Sequence, residues 1–165
     1  MKHLSVNTVL IIGLLFILGN NASGQDFKYI GASKCKMCHN KAAKGEQYNK
    51  WLSGPHSKAM QSLKGDEVNN PECLKCHSTA GAADPGLIAG ITKEEGVSCE
   101  SCHGPGSAYK SMSVMKDHEL SIKNGLIMPT EAVCKKCHNE ESPNYKGFNF
   151  EEYYAKIAHP NPASN

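Results

Sequence analysis

Four copies of one short motif contain all the cysteines of this sequence. In each copy, two residues separate a pair of cysteines, and a histidine follows the second cysteine directly. The copies are Cys35-Lys36-Met37-Cys38-His39, Cys73-Leu74-Lys75-Cys76-His77, Cys99-Glu100-Ser101-Cys102-His103 and Cys134-Lys135-Lys136-Cys137-His138. Together they use all 8 cysteines of the 165-residue chain.

This spacing is the attachment signature of c-type haem. Two thiols on one helical turn can add across the two vinyl groups of a porphyrin. The next residue then lies beneath the iron, where an imidazole nitrogen can coordinate it. The sequence therefore predicts four haem c groups, one on each cysteine pair. Their proximal iron ligands are predicted to be His39, His77, His103 and His138.

Other uses of paired cysteines explain the motifs less well. Four disulfides are possible in an exported protein, and two zinc sites with four cysteines each are possible by number. Neither use gives a reason for a histidine after every second cysteine. Redox chemistry of the thioredoxin type needs one cysteine pair beside a βαβ unit rather than four pairs in a glycine-rich chain.

Outside a predicted export segment, the chain has one histidine too few to give every predicted iron a second histidine ligand. The chain has 8 histidines, of which four lie in the motifs and His3 lies in a predicted export segment. An open axial position binds neutral imidazole strongly, so we predict His56, His118 and His159 as sixth ligands. The fourth iron is then either open or bound by a methionine, and we favour an open site because methionine more often serves as packing material. The candidate methionines are Met37, Met60, Met112, Met115 and Met128.

Residues 1–24 resemble a cleaved secretory signal peptide. A basic start is followed by the apolar run Val9 to Leu18 and by small residues that end at Gly24. The run is too short to span a bilayer, which takes about 20 residues. We therefore predict a mature domain of residues 25–165 in the periplasm, without stable membrane insertion after cleavage.

Large apolar residues are too few for a conventional core. Only 19 of the 141 residues from Gln25 onward are Leu, Ile, Val or Phe, a share below the roughly 20% typical of folded chains. We expect the haems to form the core of a single multihaem domain, mostly α-helical with extensive irregular coil. Helices are predicted at 41–52, 57–63 and 149–158, and loops at 79–90 and 104–108.

The order of these features resembles the tetrahaem cytochrome c-554 family. The matching stretches are Tyr29 to Ser33, then Trp51, His56 and Ala59, then Glu95 to Gly106, and finally His159-Pro160. The resemblance implies stacked haem pairs, one five-coordinate haem and a crossed ligand scheme. In that scheme His56 binds the fourth haem, His118 the first and His159 the third, which leaves the second haem open.

Three functions are compatible with these features. Periplasmic electron transfer through four haems is favoured, because no recognisable acid–base pair stands out near His77. The alternatives are a redox enzyme acting on a small nitrogen compound, such as nitric oxide or hydroxylamine, at the open second haem, and a gas-binding sensor. The expected partners are redox proteins of unknown identity, and the alternative functions add a small ligand at the second haem.

Surface charge and aromatic side chains add two further expectations. Lys34, Lys36, Lys41 and Lys44 surround the first motif and could dock acidic partners. Haem propionates make the loaded protein anionic, and no basic stripe with interleaved aromatic residues occurs, so nucleic-acid binding is not expected. An aromatic run is expected to pack on a porphyrin near His159; its members are Phe148, Phe150, Tyr153 and Tyr154.

Overall fold

The computed structural model describes residues 26–159 and residue 162. The predicted signal peptide, residues 1–24, lies outside the described residues. In the part of the chain that is described, no helix is both long enough and apolar enough to cross a membrane.

Short helices joined by irregular chain make up the fold, as the sequence predicted. In the described residues the longest α-helix has eight residues, and the only strand-like pairing is an isolated parallel bridge between Tyr29 and Ile88. The α-helices are α1 (Ser33–His39), α2 (Gln47–Ser53), α3 (Pro71–His77), α4 (Thr79–Ala82), α5 (Cys99–His103), α6 (Met112–Met115), α7 (His118–Lys123), α8 (Glu131–Cys134) and α9 (Phe150–Ile157). Separate 3-10 helices cover Ala42–Lys44, His56–Ser62, Gly65–Asn69, Pro85–Leu87 and Lys93–Glu95.

Local sequence explains where several helices begin. The side chain of Asn149 accepts a hydrogen bond from the backbone N–H of Glu152 at 3.0 Å, so it caps α9 at the predicted position. Asn70 caps α3 in the same way, and Pro71 occupies the first helical position, where its missing N–H costs nothing. The Asn70 cap fixes the start of the helix that contains the second motif, and the Asn149 cap fixes the start of the helix that contains most of the aromatic run.

The predicted helix over 41–52 is interrupted. Gly45 has φ 89° and Glu46 has φ 51°, so the chain turns through the left-handed region between the 3-10 segment Ala42–Lys44 and α2. The next predicted helix, 57–63, forms as the 3-10 segment His56–Ser62 with Pro55 directly before it. The predicted loop 79–90 contains α4, because Ser78 accepts a hydrogen bond from Gly81 N–H and caps a single turn there.

Few apolar side chains are buried. Among the described residues the buried apolar side chains are Ile30, Ala32, Ile91 and Tyr109. The buried polar ones are slightly more numerous: Ser78, Thr79, Ser98, Glu100 and Ser121. The side chains of the chain do not form a conventional apolar core, which agrees with the small number of large apolar residues.

Candidate haem-binding sites

Each cysteine pair lies on a single turn of chain. The first three motifs lie within α1, α3 and α5, and each of these helices ends at the histidine of its motif. The fourth motif begins at the end of α8 and continues as a turn, in which the N–H of His138 donates to the carbonyl of Cys134 at 3.0 Å. All eight cysteines are free thiols in the structure. Each motif therefore presents its two thiols on one short turn of chain, as attachment of haem c requires.

The imidazole rings of His56 and His138 lie close together. Their ring centres are 6.1 Å apart and the ring planes are inclined by 66°. Two metal–imidazole bonds of about 2.0 Å each, placed in line, put the two ring centres roughly 6 Å apart. The spacing of this pair fits a single iron held between the two rings.

His103 and His159 form a second pair of the same kind. Their ring centres are 6.0 Å apart and the planes are inclined by 69°. This pair joins the histidine of the third motif to the residue that follows α9. In the crossed scheme implied by the family resemblance, His56 serves the fourth motif and His159 the third, and these iron-ligand assignments stay predictions.

Several imidazoles are oriented by backbone carbonyls. His77 Nδ1–H donates to Ala59 O at 2.8 Å, and His159 Nδ1–H donates to Ile157 O at 2.9 Å. His103 Nδ1–H makes a longer bond of 3.3 Å to Ile127 O. A proton held on Nδ1 leaves Nε2 as the lone-pair nitrogen, which is the arrangement that a metal-binding histidine needs.

Burial favours the neutral form of three of these imidazoles, those of His56, His103 and His138. Desolvation lowers the pKa of His56, and the nearby His138 lowers it further. Desolvation also lowers the pKa of His103, against a smaller opposing effect of its hydrogen bond to Ile127, and lowers the pKa of His138. Since a metal binds the neutral form of imidazole, the surroundings favour the state that can coordinate iron.

The structure does not bring His118 to the first motif. His118 is an exposed residue at the start of α7, and no ring pair joins it to His39 in the described part of the chain. His39 is half-buried, and desolvation lowers its pKa, while the Gln47 side chain acts in the opposite direction. The assignment of His118 to the first haem therefore stays a prediction. In the same part of the chain, His77 has no partner imidazole either.

The first and third motifs lie side by side. A hydrogen bond between the thiols of Cys35 and Cys99 lowers the pKa of Cys35 and raises that of Cys99, and burial raises the latter further. Because each thiol is an attachment point, the porphyrin edges bound at these two cysteines would be neighbours.

The fourth motif lies between the third and the second. Cys137 Sγ is 3.9 Å from the carbonyl of Lys75. Burial and the neighbouring Cys76 raise the pKa of Cys137 to about 12. Cys134 is close enough to raise the pKa of Cys102, although burial has the larger effect. The attachment sites therefore adjoin one another in the order first, third, fourth, second.

Residues around the third motif connect the other sites to it. The hydroxyls of Thr79 and Ser101 are 2.6 Å apart, and Thr79 Oγ1 also accepts from the N–H of Ser98 at 2.7 Å. Trp51 Nε1–H donates to Val97 O at 2.8 Å. Sequence reasoning did not single out Thr79 or Ser98, because isolated hydroxyl residues carry no pattern that separates a buried link from a surface residue.

The Val97 backbone also fixes the position of His56. The N–H of Val97 donates to His56 O at 2.9 Å. The buried Tyr109 OH, likewise not predicted, donates to the carbonyls of His103 and Gly104 at 3.1 and 2.8 Å. Backbone contacts thus fix residues at both the third and the fourth site.

Two members of the aromatic run, Phe148 and Tyr153, pack against His138 of the fourth motif, whereas Phe150 and Tyr154 pack against each other. The packing of the run on a porphyrin near His159 stays a prediction. Phe148 stacks on His138 with ring centres 4.9 Å apart and planes inclined by 17°, and Tyr153 lies 6.0 Å from the same imidazole. Phe148 precedes α9 whereas His159 follows it, so the two ends of this helix serve different sites. A cavity of about 180 Å³ opens beside His138, lined in part by Tyr145 and Tyr153.

Comparison with known proteins identifies related sequences over most of the chain. Residues 34–104 match the family model described as cytochrome c554 and c-prime. Residues 87–159 match the model described as cytochrome c552. The two matches overlap in the third motif and together include all four motifs.

A relative and a solved structure that are similar to this chain come from Nitrosomonas europaea. Its cytochrome c-554 is 29% identical to this chain over 174 residues, which cover 84% of this chain and 70% of the relative. The solved structure of the reduced state of cytochrome c554 has 24% identity, with 79% of this chain and 78% of that chain covered and a TM-score of 0.49. These sequence matches make the chain similar to the cytochrome c-554 family, and they support a c-type cytochrome with haem and an electron-transfer role.

Proposed function

We propose that the protein is a periplasmic electron carrier with four covalently bound haem c groups. The observation that carries the proposal is the pairing of His56 with His138 and of His103 with His159, at 6.1 and 6.0 Å. Each pair joins a motif histidine to one that lies outside the motifs. Two sites of this kind, in a chain whose four motifs share one spacing of cysteines and histidine, support the same use of all four.

Haem supplies one-electron chemistry when bound, because its iron alternates between the ferric and ferrous states. The chain holds each porphyrin by one cysteine pair and one motif histidine. We assign His118 as the sixth ligand of the first site, His159 of the third and His56 of the fourth. Two imidazoles on one iron favour lower potentials than the methionine and histidine pair of other c-type cytochromes.

The neighbouring attachment sites give the carrier two ends. The first motif adjoins the third through Cys35 and Cys99, and the second adjoins the fourth through Cys76 and Cys137. Because the third and fourth sites lie between them, we expect electrons to enter or leave at the first and second sites.

Lysine side chains surround the first site. Lys34, Lys36, Lys41 and Lys44 are exposed, and no ion pair in the described part of the chain uses any of them. Lys135, in the fourth motif, differs because Glu131 pairs with it at 2.7 Å. We propose that the lysine face of the first motif docks an acidic redox protein, since complementary charge accelerates association.

Binding of a small ligand at the second site is an additional candidate function. Three spare histidines cannot fill four sixth positions. The proximal His77 is held by Ala59 O and lies 3.1 Å from Ser62 Oγ. An open position there would admit a molecule such as nitric oxide, and redox turnover of a small nitrogen compound is the alternative function.

The test uses the protein exported by a host that matures c-type cytochromes. Mass spectrometry and the pyridine haemochrome spectrum should give four haems per chain and a periplasmic product that begins near Gln25. In a redox titration, the protein should then take up four electrons per chain reversibly. Fewer haems, or a product retained in the cytoplasm, would contradict the proposal.

The ligand scheme has its own readout in the same preparation. The ferric protein should show electron paramagnetic resonance of one high-spin haem among low-spin ones. Nitric oxide added after reduction should produce one nitrosyl signal per chain. Four low-spin haems without a nitrosyl signal would exclude the open site and the alternative function.

A further inference from the structure

A carboxylate inside the third haem motif is almost completely buried. Glu100 lies between Cys99 and Cys102, and only 2% of its surface is exposed. Burial of a carboxylate is costly unless hydrogen bonds replace the lost water. A buried acid at this place therefore needs a structural explanation.

The partners of Glu100 are backbone N–H groups from two other segments. Oε2 accepts from Gly31 at 2.8 Å and from Ile30 at 3.1 Å. Oε1 accepts from Gly106 at 2.6 Å and from Ile30 at 3.0 Å. Both oxygens are therefore used, and the side chain holds the segment before α1 against the segment after α5.

Glu95 provides a second hold on the same segment, that is, a second carboxylate that accepts a hydrogen bond from the backbone of that segment. Its Oε2 accepts from the N–H of Ala32 at 2.8 Å and from Ser98 Oγ–H at 3.3 Å. Three successive backbone N–H groups, those of Ile30, Gly31 and Ala32, thus donate to two carboxylates. Gly31 has φ 87°, and a Cβ there would lie 2.6 Å from Glu95 Oε1, so only glycine fits between the carboxylates.

These contacts lie next to the junction of two haem sites. Ala32 directly precedes α1, which contains Cys35, while Glu100 directly follows Cys99. The thiols of Cys35 and Cys99 are close enough for each to shift the pKa of the other. The carboxylates therefore fix the position of the first attachment helix relative to the third.

We propose that Glu100 is a positioning residue that sets the contact between the first and third haems, with Glu95 as a second hold. The proposal rests on the proposed function, because it requires haem on both motifs. Spacing and orientation of two haems determine how strongly their electronic states interact, so loss of the hold should alter that pair and leave the second and fourth sites unchanged.

The test compares Glu100→Gln with Glu94→Gln in the haem-loaded protein. Glutamine keeps the size of the side chain but replaces one accepting oxygen with an NH₂ group, which cannot accept the N–H groups that Glu100 holds. Glu94 is exposed and lies in the same stretch of chain, so its substitution controls for the removal of one charge.

Three measurements are made on each protein: haem content, the redox titration, and circular dichroism in the Soret band, where neighbouring haems give a paired signal. Glu100→Gln should keep four haems, lose part of the paired signal and shift the potentials of two haems. Glu94→Gln should match the wild type. An unchanged signal and unchanged potentials in Glu100→Gln would overturn the proposal, and so would equal shifts of all four haems.

Glu95→Gln covers the case in which Glu100→Gln does not accumulate. It removes one hold and keeps the other, so we expect a smaller change in the same two haems. If Glu95→Gln is indistinguishable from Glu94→Gln, the proposal is wrong. Haem content separates the two proposals, because a wild-type protein with fewer than four haems contradicts the proposed function before any variant is compared.

Discussion

The ring centres of His56 and His138 are 6.1 Å apart, although the two residues lie in opposite halves of the chain. His56 begins a 3-10 segment, and its carbonyl accepts a hydrogen bond from Val97 N–H at 2.9 Å. Phe148 stacks on the opposite member of the pair. Both imidazoles are thus held by contacts other than the iron that we propose between them.

Replacement of His56 by alanine should convert one haem of four from low to high spin. The variant removes the sixth ligand of the fourth iron while Val97 N–H still holds the backbone of the segment. Electron paramagnetic resonance of the ferric protein would measure the change, and added imidazole should reverse it. Lys58→Ala, an exposed position in the same segment, is the control. A His56→Ala protein with an unchanged spectrum would show that His56 is not a ligand.

The double variant His56→Ala/His159→Ala should contain two more high-spin haems than the wild type. His56 faces the fourth motif and His159 the third, so their effects concern different irons and should add. The same spectra quantify the sum of the single variants. A double variant no more high-spin than either single variant would mean that the two histidines serve one iron.

The motifs and their spacing predicted the chemistry, because the attachment reaction dictates cysteines two residues apart and a histidine beside them. The spatial order of the four sites could not be predicted. It depends on contacts between distant residues, such as Cys137 with the carbonyl of Lys75, and the chain between two motifs is long enough to permit many arrangements. Glu100 escaped notice for a similar reason, since an acidic residue inside a motif looks like a solvated one until its backbone partners are known.

His118→Ala should also convert one haem to high spin. The resemblance assigns His118 to the first iron, and the remaining histidine count agrees with it. The structure leaves His118 exposed at the start of α7, so the prediction requires this helix to approach α1 when haem is attached. Glu119→Ala, its exposed neighbour, is the control. Retention of every low-spin haem in His118→Ala would point to another ligand for the first iron, with the methionines as the first candidates.

Reversal of charge near the first motif should slow oxidation of the reduced protein by an anion and accelerate oxidation by a cation. Lys36→Glu changes an exposed lysine whose Nζ lies 5.4 Å from the ring centre of Tyr48. Stopped-flow rates with ferricyanide and with a tripositive cobalt complex should move in opposite directions, and salt should reduce both effects. Lys116→Glu makes the same charge change at another exposed position. Equal effects of the two variants would mean that electrons do not leave near the lysine face.

Helix positions illustrate the limits of composition as a guide. The stretch 41–52 contains good helix formers, yet Gly45 and Glu46 adopt positive φ and divide it. The second part, α2, is held by a hydrogen bond from Trp51 Nε1–H to the carbonyl of Val97, a residue far away in the sequence. By contrast, α9 begins where Asn149 predicted it, since a capping side chain acts on its own next turn. Local interactions were therefore predictable, whereas those imposed by distant segments were not.

Gly104→Ala should destabilise the protein far more than Gly147→Ala. Both glycines have positive φ, 75° and 93°, so alanine is strained at either position, and the ψ of 170° at Gly104 places it in a region that is essentially restricted to glycine. At Gly147 a new Cβ would meet nothing within 4 Å, whereas at Gly104 it would collide with the backbone carbonyl of Gly125. Backbone cannot yield as a flexible side chain can, so the collision adds to the strain.

The position of Gly104 connects this packing to haem binding. Gly104 follows His103 directly, and its carbonyl accepts from the buried Tyr109 OH at 2.8 Å. A shift there should displace the third motif as well as lower stability. Guanidinium unfolding, followed by Soret absorbance, should show a clearly lower midpoint for Gly104→Ala and a small change for Gly147→Ala. Equal midpoints would mean that the contact with Gly125 relaxes at little cost, and the third site would then be less rigid than its hydrogen bonds indicate.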